Sequence, residues 1–88
     1  MLERTFIIKN KLGLHARPAA VMVQTAAKFK SKVKIIKDGQ EVDGKSIMGL
    51  MTLAACAGTA LKITADGEDE VAALNALAAL VENGFGEA

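Results

Sequence analysis

The sequence predicts a two-layer α+β sandwich with the element order βαββαβα. Three observations point there: four short segments with period-2 apolar alternation, three segments with helical spacing, and an apolar share of 51% over 88 residues. That length and composition suit one domain, residues 1–88, with one small core.

The first strand is predicted from Leu2 to Lys9, where Thr5, Phe6, Ile7 and Ile8 favour extended backbone and put Phe6 and Ile8 on one face. Asn10 to Gly13 reads as a loop. From about Ala16 the spacing of Ala19, Met22, Val23 and Ala26 is helical. Pro18 fits the first turn, because the N–H it lacks would have no intrahelical acceptor there, so the helix should begin between Leu14 and Ala16. Lys32 to Lys37 alternates lysine with Val33 and Ile35, and Asp38-Gly39 turns the chain into a short returning strand, Gln40 to Asp43. Ser46 is the natural N-cap of a short second helix carrying Ile47, Met48, Leu50, Met51 and Leu53. Thr59 to Ala65 is the fourth strand, with Leu61 and Ile63 facing one way and Lys62 and Thr64 the other. Glu68, Asp69 and Glu70 complement the positive end of a third helix, whose apolar positions are Val71, Leu74, Leu77, Ala78 and Val81 and which Gly84 ends.

Composition removes several function classes. Eleven Lys and Arg against ten Asp and Glu leave a formal charge of +1, too little for an electrostatic nucleic-acid surface or a polybasic membrane anchor. Sixteen alanines, three phenylalanines and no tryptophan or tyrosine make a small aliphatic core, with little room for a deep cofactor pocket, and no cofactor is expected. The single cysteine, Cys56, cannot form an internal disulfide or a thiolate zinc site alone, so no metal is expected and the setting is read as cytoplasmic. Met1 to Phe6 lacks the charged start and apolar run of a signal peptide, and no apolar run approaches the roughly 20 residues of a transmembrane helix.

Imidazole chemistry, if present, belongs to the only histidine, His15. It stands at a predicted helix start, followed by Ala16, Arg17 and Pro18, where first-turn N–H groups have no intrahelical acceptor and favour anions, phosphate in particular. The helix dipole and Arg17 favour the neutral, nucleophilic imidazole near pH 7. Arg17 offers a planar fork to phosphate oxygens, and the small side chains of Ala16, Ala19 and Ala20 leave the helix end open to another protein. The plainer alternative is a histidine that only caps a helix beside a solvated arginine.

Gly13-Leu14-His15-Ala16-Arg17-Pro18-Ala19-Ala20 resembles the active-site signature of the histidine-containing phosphocarrier (HPr) family of the bacterial phosphoenolpyruvate-dependent sugar phosphotransferase system. Gly44-Lys45-Ser46-Ile47-Met48-Gly49-Leu50-Met51 is similar to the regulatory-serine segment of that family, and Asn75-Ala76-Leu77 also fits. The resemblance covers the whole chain. It implies an open-faced β-sandwich with a four-stranded antiparallel sheet in the order 1-4-2-3 and three helices on one side. It also implies a carrier rather than an enzyme: His15 takes a phosphoryl group on Nδ1 from enzyme I and passes it to an enzyme IIA domain. The backbone of Ala16 and Arg17 would hold the phosphate, and a monomer is expected. In members modified at the serine, an HPr kinase/phosphorylase and a catabolite repressor join the partners, which makes Ser46 the expected regulatory phosphorylation site. The resemblance implies a docking patch shared by the first and second helices, so Ala20, Ile47, Met48 and Met51 are the candidate docking surface; on the short second helix one apolar stripe suffices and the surplus must face outward.

Met22 reads as core, and Cys56 as a small, mostly buried hydrophobe. Ala54 stands where many members of that family have glycine. A ligand-binding regulatory module or a co-repressor are the competing classes; the first has no use for a His-Ala-Arg-Pro helix start, and co-repressor-only paralogues lack the histidine. The carboxylate that pairs with Arg17 stays open, and the tail Glu87-Ala88 is read as mobile.

Overall fold

The computed structural model describes residues 1–87, and it follows the βαββαβα order. The elements are β1 (Leu2–Ile7), α1 (Ala16–Ala26), β2 (Lys32–Lys37), β3 (Gln40–Asp43), α2 (Ile47–Thr52), β4 (Ala60–Asp66) and α3 (Glu70–Glu82), then a 3₁₀ turn at Gly84–Gly86. All four strands form one antiparallel sheet in the order β1-β4-β2-β3. Phe6 pairs with Leu61, and Ile35 pairs with both Ile63 and Val42, so the apolar residues of neighbouring strands share a face. Asp38 and Gly39 have φ of 49° and 82°, the paired positive values of a type I′ turn.

The core lies between that face and the three helices. Ile35, Leu61 and Ile63 from the sheet meet Met22, Leu50, Leu77 and Val81, all fully buried. Ala19, Ala26 and Ala73 are equally buried, and their small side chains let helices approach the sheet closely. Met22 is therefore core.

β1 and β4 each add a detail to the sequence reading. β1 stops at Ile7 rather than Lys9, because the Ile8 N–H donates to the Thr59 carbonyl while the Ile8 carbonyl accepts from Gly58, ahead of β4. Thr64 does face away from the helices, yet it is only 7% exposed. β4 is a central strand, so Thr64 is flanked across the ladder by Glu3 and Lys34, whose ion pairs with Lys62 and Glu41 span the same face.

Asp69 fastens the far end of the molecule. Its carboxylate accepts from Lys30 N–H (2.8 Å), Ser31 N–H (2.9 Å) and the Ser31 hydroxyl, tying the segment before β2 to the start of α3. These donors favour the ionised form and hold its pKa below the ordinary value, the Ser31 hydroxyl most of all. Gly84 follows the C-cap Asn83 of α3, as the sequence predicts.

Candidate functional site

His15 is delivered to the surface by a loop that cannot move freely. The Asn10 side-chain amide donates to the Gly13 carbonyl (2.7 Å), Gly13 N–H donates to the Asn10 carbonyl (3.1 Å), and Leu14 N–H donates to Ala55 O (2.8 Å). Gly13 has φ +69°, and a Cβ there would stand 2.3 Å from that Ala55 oxygen. Leu14 is buried beneath it. The chain then enters α1 with His15 as N-cap in extended backbone, its carbonyl accepting from Ala19 N–H at 3.0 Å.

The His15 side chain makes no cap hydrogen bond. Pro18 has no N–H to offer, and that of Ala19 is used, so the first-turn donors left for an anion are those of Ala16 and Arg17. Both residues are exposed, and among the described residues no carboxylate lies within ion-pair distance of Arg17. Arg17 thus follows the N-cap by two residues with its guanidinium unpaired among the described residues.

The tail supplies what the sequence reading left out. After α3 the chain turns through Gly84, Phe85 and Gly86, all at positive φ, with Phe85 buried. This hook lays Glu87 against the imidazole: its two carboxylate oxygens stand 3.1 and 3.0 Å from His15 Nε2, and one accepts from Asn10 Nδ2 at 2.9 Å. The Glu87 side chain is 18% exposed and the His15 side chain 36%. The His15 hydrogen bond, helped by Asn10 and by the charges of His15 and Arg17, outweighs desolvation and lowers the Glu87 pKa. Glu87 thus packs against His15 and Asn10, while Ala88 lies outside the described residues. The electrostatics of the ring also differ from those of an isolated helix end, because a carboxylate opposes the dipole and Arg17. Asn10 and Glu87 are the two residues missed from the sequence; glycines on either side of an aromatic, just ahead of an acid, were the available signal.

Ser46 caps α2 as predicted, its Oγ accepting from Gly49 N–H at 3.1 Å, a bond whose class contributes about 1 kcal/mol. α2 packs beside α1 and keeps only Leu50 fully inside. Ile47, Met48 and Met51 are 41%, 80% and 46% exposed, and Ala20 is half-buried on α1. Ala54, at the exit of α2, has φ 50°, which explains why a glycine suits that position. Cys56 corrects the sequence reading: it is exposed, because the turn between α2 and β4 presents its thiol outward while Ala55 fills the interior.

Among the described residues no three His, Cys, Asp or Glu side chains are grouped to hold a metal. A groove of about 410 Å³ is lined by Lys32, Lys34, Glu41 and Asp43 and shares no residue with the His15 site. Among the described residues, the site offers a surface imidazole with one nitrogen engaged, two backbone donors and an unpaired guanidinium.

A family model described as "PTS HPr component phosphorylation site" matches residues 2–83. The phosphocarrier protein HPr of Xylella fastidiosa (strain 9a5c) is 53% identical over 87 residues, covering 99% of this chain and 98% of its own length. The crystal structure of HPr-C-His from Thermoanaerobacter tengcongensis superimposes with a TM-score of 0.96 at 52% identity, covering 100% of this chain and 99% of that one. An HPr dimer from the same organism aligns with a TM-score of 0.79 at 53% identity, covering 99% of this chain and 100% of that one.

Proposed function

The chain belongs to the PTS-HPr family of phosphotransferase-system phosphocarriers, and on that premise we propose that His15 is its phosphoryl acceptor, loaded by phospho-enzyme I and unloaded to enzyme IIA domains during sugar uptake. One observation carries the reading: the chain's only imidazole stands at the N-cap of α1, where the Ala16 and Arg17 N–H groups have no intrahelical acceptor and Arg17 is exposed. Arg17 and these donors stabilise the added negative charge, yet the group stays at the surface where the next partner reaches it. The carrier is a substrate of enzyme I rather than a catalyst acting alone. In this reading the carrier works as a monomer in the cytoplasm.

Ala20, Ile47, Met48 and Met51 form the docking surface in this reading, with methionine able to repack against more than one partner. Ser46 is the regulatory site, modified by an HPr kinase/phosphorylase where one is present, with a catabolite repressor as a further partner. Phosphate on its hydroxyl would add about −1.5 to −2 charges beside Ile47 and Met48, which opposes docking of an apolar partner.

The test is incubation with enzyme I and radiolabelled phosphoenolpyruvate. The unmodified chain is expected to take up acid-labile label, His15→Ala none, and Arg17→Ala to label more slowly while melting at an unchanged temperature. Label on His15→Ala would refute the assignment.

A further inference from the structure

Glu87 is 72 residues from His15 in sequence, yet both its carboxylate oxygens converge on one ring nitrogen, Nε2. A single buried side chain organises this contact. Asn10, 1% exposed, directs its amide nitrogen at Glu87 Oε1 and at the Gly13 carbonyl together, while its own oxygen has no partner among the described residues. The orientation of the amide is set by its surroundings: reversed, its oxygen would face a carboxylate and a carbonyl. Asn10 thus fixes both the carboxylate and the loop that carries His15.

An ionised carboxylate has no proton to give, so Nε2 carries the hydrogen and donates it. In the neutral imidazole the lone pair then belongs to Nδ1. We infer that Glu87, held by Asn10, is a positioning residue for phosphoryl transfer, keeping the hydrogen of neutral His15 on Nε2 and the Nδ1 lone pair free for the incoming phosphorus. This rests on Nδ1 of His15 being the acceptor, the reading given above. In the transfer the Nδ1 lone pair forms the new N–P bond, and the bond from phosphorus to the donor's imidazole nitrogen breaks with its electron pair returning to the donor. No proton leaves His15. The ring gains positive character, and the Glu87 carboxylate already faces the Nε2 hydrogen as that charge develops. Arg17 and the first-turn N–H groups serve the phosphoryl oxygens, so the anion Glu87 is left to act on the ring alone, at Nε2.

The experiment compares the unmodified chain with Glu87→Ala by nitrogen-15 NMR of the His15 ring at about pH 8.5, above the ordinary histidine range, and by initial rates of labelling from phospho-enzyme I. In Glu87→Ala the Nδ1 and Nε2 shifts should move toward each other as tautomers mix, and kcat should fall roughly threefold to tenfold with KM little changed, as befits one lost charge-assisted hydrogen bond. Asn10→Ala should slow labelling more when Glu87 is present than when it is absent, the remaining loss coming from its hold on the loop through the Gly13 carbonyl. A purely structural Asn10 would slow both backgrounds equally, which counts against the inference. Unchanged ring shifts and an unchanged rate in Glu87→Ala overturn it. Absence of label on the unmodified chain would instead overturn the acceptor assignment, and the ring spectra would still decide whether Glu87 sets the tautomer.

Discussion

Replacing Gly13 by alanine separates two costs that meet at the loop before His15. The first is conformational: at φ +69° an alanine occupies the left-handed region, at about 1 kcal/mol. The second is steric. The new Cβ would lie 2.3 Å from the Ala55 oxygen and 2.9 Å from the Cys56 Cα, both backbone atoms that no rotamer change can move aside. Ordinary contact needs about 1 Å more, so the two segments must part and the Leu14 to Ala55 hydrogen bond of 2.8 Å is strained or lost. Together these amount to about 4 kcal/mol, or a drop of about 15 to 30 °C in Tm for a domain of this size. Gly39→Ala is the matched control, since its φ is +82° but nothing lies within 4 Å of the added Cβ. It should lose only about 1 kcal/mol. Thermal melts followed by circular dichroism, with phosphotransfer assays below the transition, make the measurement. Gly13→Ala should also label slowly, because displaced loop backbone carries His15 with it. Equal losses of Tm in the two variants would show that the close approach of Gly13 to Ala55 contributes nothing, and would refute the reasoning.

Ala54→Gly should raise stability by up to about 1 kcal/mol, seen as an increase of a few degrees in Tm, because Ala54 holds φ 50° against its own Cβ; a fall in Tm would contradict the strain. Both Glu87 and Asp69 have pKa values lowered by hydrogen bonds made in the folded chain. Their stabilisation is accordingly complete above the ordinary carboxylate range of about 4 and is lost as pH falls through the depressed folded values. Tm measured from pH 7 to pH 2 should hold level to about pH 5 and then decline, and Asp69→Asn should start lower but decline less; parallel curves for the two proteins would remove Asp69 from the acid transition.

Much of the fold is written locally. Alternation of Val33 and Ile35 with lysines, the Asp38-Gly39 turn, the Ser46 cap and the helical spacing from Ala19 to Ala26 each depend on residues a few positions apart, and each element forms where that pattern lies. His15 and Arg17 were legible for the same reason, since a helix start, its N-cap and a cation two residues on are contiguous. The strand order came from resemblance to a family rather than from any strand's own pattern, because period-2 alternation says which face is buried and not which neighbour a strand takes.

Sequence alone therefore determined the element order, the caps, the apolar faces and the acceptor candidate, all of them short-range consequences of backbone preference and side-chain spacing. The tertiary structure decided what depends on residues distant in the chain: that Thr64 is buried because β4 lies between two strands, and that Cys56 is outside because Ala55 fills the interior. It also decided that Glu87 reaches a histidine 72 residues away through an asparagine 77 residues from it. Such contacts carry no local period, since they arise only when packing of α3 and the buried Phe85 brings the end of the chain back across the loop at Asn10.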